Sequence, residues 1–307
     1  MGRATNSAVS DSWQNLILSQ VVEFVATLRS VSAIINQLTM DEYLSYFGTQ
    51  LTNRQVFLLN CSDDVRAFSR LLSALRNAWT RLGVERDTAG KSHVGLLLFA
   101  NVLSAHVLVG FQHVSSYQSF LAWSTFRPGL EALLIIGKFL DDPANAGIWK
   151  NRQTDPHLYR KTFSGKSLES VSLPKSSVFR RVLTRLNDDF MHPNPHFAYR
   201  GATQTARGTG VQLDIQLFDT APDIHEAHLL SYMNLLDCIV SASEGLVNNL
   251  CGKTAVSVRH RYTTHEQPRA TQLASRSVAG KRIMEELGLW SFGHSDDLQS
   301  SYQQTSC

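Results

Sequence analysis

Apolar residues recur at three- and four-residue spacing along most of this chain, which predicts a mainly α-helical protein. Asp11 or Ser12 can cap a first helix carrying Trp13, Leu16, Ile17, Val21, Phe24, Val25, Leu28, Val31 and Ile35. Thr39-Met40-Asp41-Glu42 has the form of a capping box and predicts a short second helix that stops at Gly48. A third helix is expected over 64–82, with Val65, Phe68, Leu71, Leu72, Leu75 and Trp79 on its apolar side and Gly83 as its stop. The stretch 93–140 reads as two long apolar helices that break between Gly110 and Ser116. Pro128 should kink the second or mark a new start. The polar stretch 151–175 predicts loop or short irregular helix. Ser176 or Ser177 then caps a helix over 178–192 that Pro193 and Pro195 close.

Beyond Phe197 the period falls to two. Val211, Leu213, Ile215 and Leu217 alternate with Gln212, Asp214 and Gln216, the signature of a strand. Pairing with 197–204 across Arg207-Gly208-Thr209-Gly210 predicts one β-hairpin, inserted near 197–218. Pro222-Asp223 opens a long helix that ends at Cys251-Gly252. Between Gly252 and Arg282 seven Lys or Arg face one acid, Glu266. The expected organisation is a flexible N-terminus (1–10), a single helical domain with the hairpin (11–251), and a basic, partly disordered tail (252–307). The tail is expected to be solvated, with a short helix near 277–289.

Composition fits this picture. Hydrophobic residues make up 43% and charged residues 18% of 307 positions, enough to bury a sizeable core. The formal charge of +3 permits an acidic partner without specifying one. Cys61, Cys238, Cys251 and Cys307 lie far apart with no CxxC spacing, so no zinc or disulfide framework follows and a reduced, cytoplasmic protein is expected. The N-terminal residues have no apolar signal core, and Asn6 breaks the myristoylation pattern. The segment 94–111 is long enough to span a bilayer. It carries Asn101, Ser104 and His106 and is not flanked by a basic cluster, so a buried core helix is expected, with no membrane contact.

The candidate chemistry centres on 185–196, Arg-Leu-Asn-Asp-Asp-Phe-Met-His-Pro-Asn-Pro-His. In a regular helix Arg185 and His192 lie two turns apart on one face, and a guanidinium beside an imidazole can handle a phosphate. The spacing itself carries nothing, because chance supplies an Arg-x4–6-His pattern about twice in a chain of this composition. Arg86/His93, Arg152/His157 and Arg259/His265 match it too. Arg185 and His192 differ in sharing one expected core helix. Arg127 and Glu131, four apart on an apolar helix, are expected to form a partly buried ion pair, either as a tie between helices or facing the same cavity as His192. His225 and His228 sit in the first turn of a helix. Two histidines make no metal site without a third ligand such as His192 or His196, and an exposed helix start is the expectation. His106 and His113 are expected to be satisfied core histidines. P-loop, GxGxxG, HExxH, GxSxG and EF-hand patterns are all missing from the sequence.

A helix with Arg-x4–6-His near its end, preceded by one like Ser119-Phe-Leu-Ala-Trp-Ser-Thr-Phe-Arg127-Pro-Gly-Leu-Glu131, resembles the HEPN superfamily (higher eukaryotes and prokaryotes nucleotide-binding domain) and its bacterial relatives of unknown function. The resemblance covers about 94–251. It implies a helical bundle with extra N-terminal helices and an RNA-directed role of toxin or phage-defence type. The activity it implies is ribonucleolytic, without metal or cofactor, in a homodimer or with an antitoxin-like partner. Carried over, Arg185 would stabilise phosphate charge and His192 would act as acid, base or phosphate ligand, with Asn187, Arg127, Glu131 and His196 as binding residues. RNA-cleaving members usually place Asn, Asp or His directly after the arginine. Here Leu186 follows it and Asn187 comes one step later. The alternative is a non-catalytic helical interaction or regulatory protein, in which Arg185 pairs with Asp188 or Asp189 and His192 caps a helix end.

Overall fold

The computed structural model describes residues 42–87, 94–188, 202–207, 210–215, 218–252, 261–287 and 290. The described chain is mainly α-helical. Backbone packing divides it into Met1–Thr52 and Asn53–Cys307. Of the first unit, 42–52 is described, and it forms the opening turns of helix α1 (Glu42–Asn60). The expected helix from Asp11 or Ser12 through Ile35 and the Thr39 cap lie outside the described residues.

The second unit is built from α2 (Ser62–Asp87), α3 (Val94–Val114), α4 (Ser119–Asp141), α5 (Ala144–Lys150), α6 (Pro156–Phe163), a 3-10 turn (Gly165–Leu168), α7 (Ser176–Leu186), α8 (Pro222–Leu250), α9 (Arg261–Arg276) and α10 (Val278–Glu286). Helices α3 and α4 form an antiparallel hairpin around the turn 115–118, where Tyr117 takes a left-handed φ of 58°. Pro128 does not interrupt α4. Near the carbonyl that proline leaves without its helical N–H, His106 Nδ1 lies 2.7 Å from the Thr125 carbonyl oxygen and steadies the turn. Helix α8 opens with Pro222 at its first turn and ends where Gly252 adopts φ +67°, as its sequence predicts.

The core lies between α2, α3, α4 and α8. Phe68 stacks on Phe111 at 3.7 Å, and Trp123, Phe126 and Tyr232 pack ring against ring. Gly110 makes one close approach possible. A Cβ there would lie 2.6 Å from the Tyr232 hydroxyl, which donates a 2.6 Å hydrogen bond to the Val107 carbonyl.

Several boundaries differ from expectation. Helix α1 runs through Gly48 and α2 through Gly83, because a mid-helix glycine costs only about 1 kcal/mol and does not by itself end a helix. Ser176 does not cap its own helix. Its Oγ accepts the Ser170 N–H at 2.7 Å, while Lys175 holds the cap position with φ 61°. Helix α3 is not buried all round. Leu96, Ala100, Leu103, Val107 and Phe111 face the core, but Leu98 is 61% exposed and Val102 and Val109 are exposed too. Its apolar stretch Gly95–Val114 is long and apolar enough to cross a membrane by length and composition.

Residues 278–286 are helical, where a short helix near 277–289 is expected, and residues 261–276, within the stretch expected to be a solvated tail, are helical as well. They cover α8 with a second small core of Ala227, Leu230, Ala270, Leu273, Met284 and Trp290. The backbone of Ala202–Arg207 pairs antiparallel with Gly210–Ile215, Ala202 opposite Ile215. Among the described residues no helix packs extensively on that pair. An inserted hairpin is therefore not a supported part of the architecture, whose supported description is mainly helical.

Candidate functional site

Helix α4 carries Arg127 and Glu131 one turn apart on the flank that meets the end of α7. Arg127 donates from Nε to Asn187 Oδ1 at 2.5 Å, and its Nη1 lies 3.2 Å from Glu131 Oε2. Three of the six site residues read from the sequence thus meet, although Asn187 is 60 positions from Arg127. The side chains of Arg127 and Glu131 are 27% and 28% exposed, so the ion pair is open to water.

Two neighbours enlarge the cluster. Tyr159 of α6 is half-buried, and burial and the Glu131 charge push its phenol above its usual value, against the pull of Arg152 and Arg127. Arg152, just past α5, lies flat on the Trp149 indole with its guanidinium 3.9 Å from the ring centroid, and Nη1 donates to the Trp149 carbonyl at 3.1 Å. Among the described residues Arg152 has no acidic partner. The group holds two cations to one acid, with one guanidinium fixed in orientation and free in charge. That arrangement can accept an anion. Sequence reasoning missed Arg152 and Tyr159 because they fall in a polar stretch read as loop or short irregular helix. The Trp149-x-x-Arg152 spacing, one helical turn, was the available signal.

Arg185 pairs elsewhere. Its Nη2 lies 3.6 Å from Glu286 Oε1 of α10, a partner the sequence did not suggest. After Leu186 the helix widens to a π-type turn at Asn187 and Asp188. His192 and His196 lie outside the described residues, so the expected Arg185–His192 pair does too.

The first turns of α8 hold a second polar cluster. His225 and His228 are not an exposed helix start, being 4% and 8% exposed. His225 Nδ1 lies 3.2 Å from Asp219 Oδ2, and its ring stacks on Tyr117 at 3.9 Å. Trp123 Nε1–H donates to His228 Nδ1 at 3.0 Å. Asp219 also accepts the backbone N–H and the hydroxyl of Ser119, at 3.2 and 2.5 Å, so it caps the start of α4 from outside that helix. Burial acts to raise the Asp219 carboxyl. The His225 hydrogen bond, the His228 charge and the Ser119 hydrogen bond outweigh it and hold the group below its ordinary value. Ser119 is buried, so this Ser–Asp–His contact is a tie between helices rather than an accessible nucleophile. No group of three or more metal-ligating side chains exists among the described residues.

Comparison of the chain with family models, with curated proteins and with solved structures finds no match. The cluster's own geometry is therefore what bears on function.

Proposed function

We propose that this is a HEPN-like, RNA-directed helical protein whose phosphate-handling face is formed by Arg127, Glu131, Asn187, Arg152 and Tyr159, with His192 supplied by the segment after α7. The observation that carries the reading is the Arg127–Asn187 hydrogen bond. It joins the two stretches that carry the resemblance, one on α4 and one at the end of α7. Arg152 acts on the same Tyr159 phenol as Arg127 and Glu131, and among the described residues it has no acidic partner. An RNA phosphate fits such a site through charge-assisted donation from guanidinium groups. In the proposed reaction the ribose 2′-hydroxyl attacks the adjacent phosphorus and the P–O5′ bond breaks. A 2′,3′-cyclic phosphate and a 5′-hydroxyl result, with His192 moving the proton. The inserted hairpin near 197–218 and a homodimer belong to the same proposal.

The test is cleavage of a mixed-sequence RNA in excess EDTA by wild type and by the His192→Ala and Arg152→Ala variants. The expected result is cyclic-phosphate ends from wild type, none from His192→Ala, and cleavage weakened about tenfold or more in Arg152→Ala. Equal cleavage by His192→Ala removes the catalytic claim. Absence of both cleavage and RNA binding in wild type removes the RNA-directed reading.

One observation favours a second reading, a non-catalytic helical interaction protein. The arginine of the motif is engaged by Glu286, which also accepts from Arg282 Nε at 2.6 Å, so Arg185 helps hold α10 in place. Under that reading Arg185→Ala loosens the 278–286 helix and has no effect on RNA.

A further inference from the structure

The layer that covers one side of α4 is far more basic than the rest of the chain. Residues 150–185 hold nine Lys or Arg and two acids, a charge of +7. The whole chain carries +3, so all other residues together carry −4. The fold gathers the stretch into one layer. Helix α5, the 3-10 turn and α7 each pack on α4, and α6 bridges α5 and the 3-10 turn. Phe163, Leu168, Phe179, Val182 and Leu186 turn inward and are buried. The cations are left outside. His157, Arg160 and Lys161 recur at the three- and four-residue spacing that puts them on one exposed face of α6, opposite Tyr159 and Phe163. Lys150 at the end of α5, Lys166 in the 3-10 turn and Arg181 on α7 are exposed as well. Among the described residues none of Lys150, Arg160, Lys161, Lys166 and Arg181 has an acidic partner. Both acids of the stretch are engaged. Glu169 pairs with Arg180 at 2.5 Å, and Asp155 accepts the Leu158 N–H at 2.9 Å as the cap of α6.

We propose that this outer surface binds the phosphate backbone of an RNA duplex. Spaced cations interleaved with small polar side chains, here the exposed Gln153, Ser167 and Ser177, are the groups that contact phosphate oxygens. Of the large apolar side chains in 144–186, only Leu158 and Val171 are exposed. The surface therefore has neither the apolar centre of a protein interface nor the apolar face of a membrane-inserting helix. Residues 144–186 expose no aromatic ring, so there is no platform on which unpaired bases could stack. That suits a partner whose bases are turned inward. The choice of RNA rests on the RNA-directed reading proposed above, and the choice of a phosphate duplex rests on this surface alone.

The experiment is fluorescence anisotropy of a labelled blunt RNA duplex titrated with the full-length His192→Ala protein, so that binding is read without the proposed cleavage. The expected result is saturable binding that weakens with salt, with a log–log slope of about 3–5. Arg160→Gln with Lys161→Gln weakens binding about tenfold or more near 0.1 M salt and lowers the slope by about two. Lys166→Gln with Arg181→Gln gives the same answer from the other end of the layer, with far-UV circular dichroism confirming that at least one of the two pairs folds. Arg70→Gln with Arg76→Gln removes the same charge from the exposed face of α2 and leaves affinity within about twofold. A duplex that does not bind, a loss from the α2 pair equal to that from the α6 pair, or tighter binding of a single strand or of a DNA duplex each overturns the proposal. So does binding of phosphatidylserine vesicles through Arg160 and Lys161 where no duplex binds, because that assigns the surface to a membrane. Cleavage of single-stranded RNA by wild type with no duplex binding removes this inference and leaves the proposed function standing. Duplex binding without cleavage by wild type removes the catalytic claim and leaves this surface.

Discussion

Replacing Arg269 by methionine should detach helix α9 from the body of the second unit. Its Nη1 lies 3.1 and 3.0 Å from the two carboxylate oxygens of Asp64 at the start of α2. Its Nε lies 2.7 Å from Glu226 of α8, and Nη1 is also 3.5 Å from Glu266. The Asp64 side chain is 7% exposed, so with the guanidinium gone it keeps, among the described residues, one hydrogen bond, from the Tyr262 hydroxyl at 3.1 Å. Removing one partner of a buried pair costs about 3–5 kcal/mol. The Arg269 side chain is 32% exposed, so water reaches the vacated place and the expected loss is smaller, about 2–3 kcal/mol. For a unit of this size that corresponds to a melting temperature lower by roughly 5–10 °C. Methionine keeps the apolar stem and so isolates the charge. Urea denaturation followed by circular dichroism measures the loss, and hydrogen exchange places it at 261–276. Adding Asp64→Asn removes the stranded charge and should restore part of the stability. If Arg269→Met costs less than about 0.5 kcal/mol, or if the two losses simply add, the network does not pin α9.

Two other perturbations test the frame of the candidate site. The Asp219 carboxyl is held below its ordinary value in the folded state, so the stability it contributes is present above the unfolded value near 3.9 and is lost as pH falls through the folded one. Acid titration of stability should show that loss in wild type, and Asp219→Asn should flatten it. A variant with the same acid profile as wild type would refute the assignment. A Cβ at Gly137 would lie 2.7 Å from Ser170 and 2.9 Å from the Leu173 Cβ, so Gly137→Ala must push the 170–173 segment off α4. It should cost about 1–3 kcal/mol by thermal melting, and a neutral result would mean that the segment yields freely.

What could be read from the sequence follows from where each signal resides. The break between α3 and α4, the proline start of α8 and its glycine end are local, since each depends on backbone preferences of a few adjacent residues. Helix α9 was not legible. Its polar text, with Pro268 inside, shows little apolar period, and its place is fixed by Arg269, Tyr262 and Leu273 acting on partners up to 205 positions away. His225 and His228 looked exposed because the residues that bury them, Tyr117 and Trp123, come from the α3–α4 hairpin. Arg127 and Asn187 could be put on one list through the resemblance, but their contact needed the fold. Arg152 escaped because its partner is an indole rather than an acid.

Arg127 and Arg185 take different partners. Residues 185 and 187 are two positions apart, about 200° around a helix, so they leave from opposite sides. Asn187 meets Arg127, while Arg185 reaches Glu286. The seven-residue spacing of Arg185 and His192 put both on one face only if every turn held 3.6 residues. The wider turn at Asn187 and Asp188 removes that condition. The charge that bears on an anion is therefore to be sought at Arg127 and Arg152. Arg127 is already divided between an amide and a carboxylate, and a phosphate must compete with Glu131 for it. Among the described residues Arg152 faces no such competitor, and stacking on Trp149 has already restricted its rotamers. Of the two, Arg152 loses less on meeting an anion, which makes it the more informative position to neutralise.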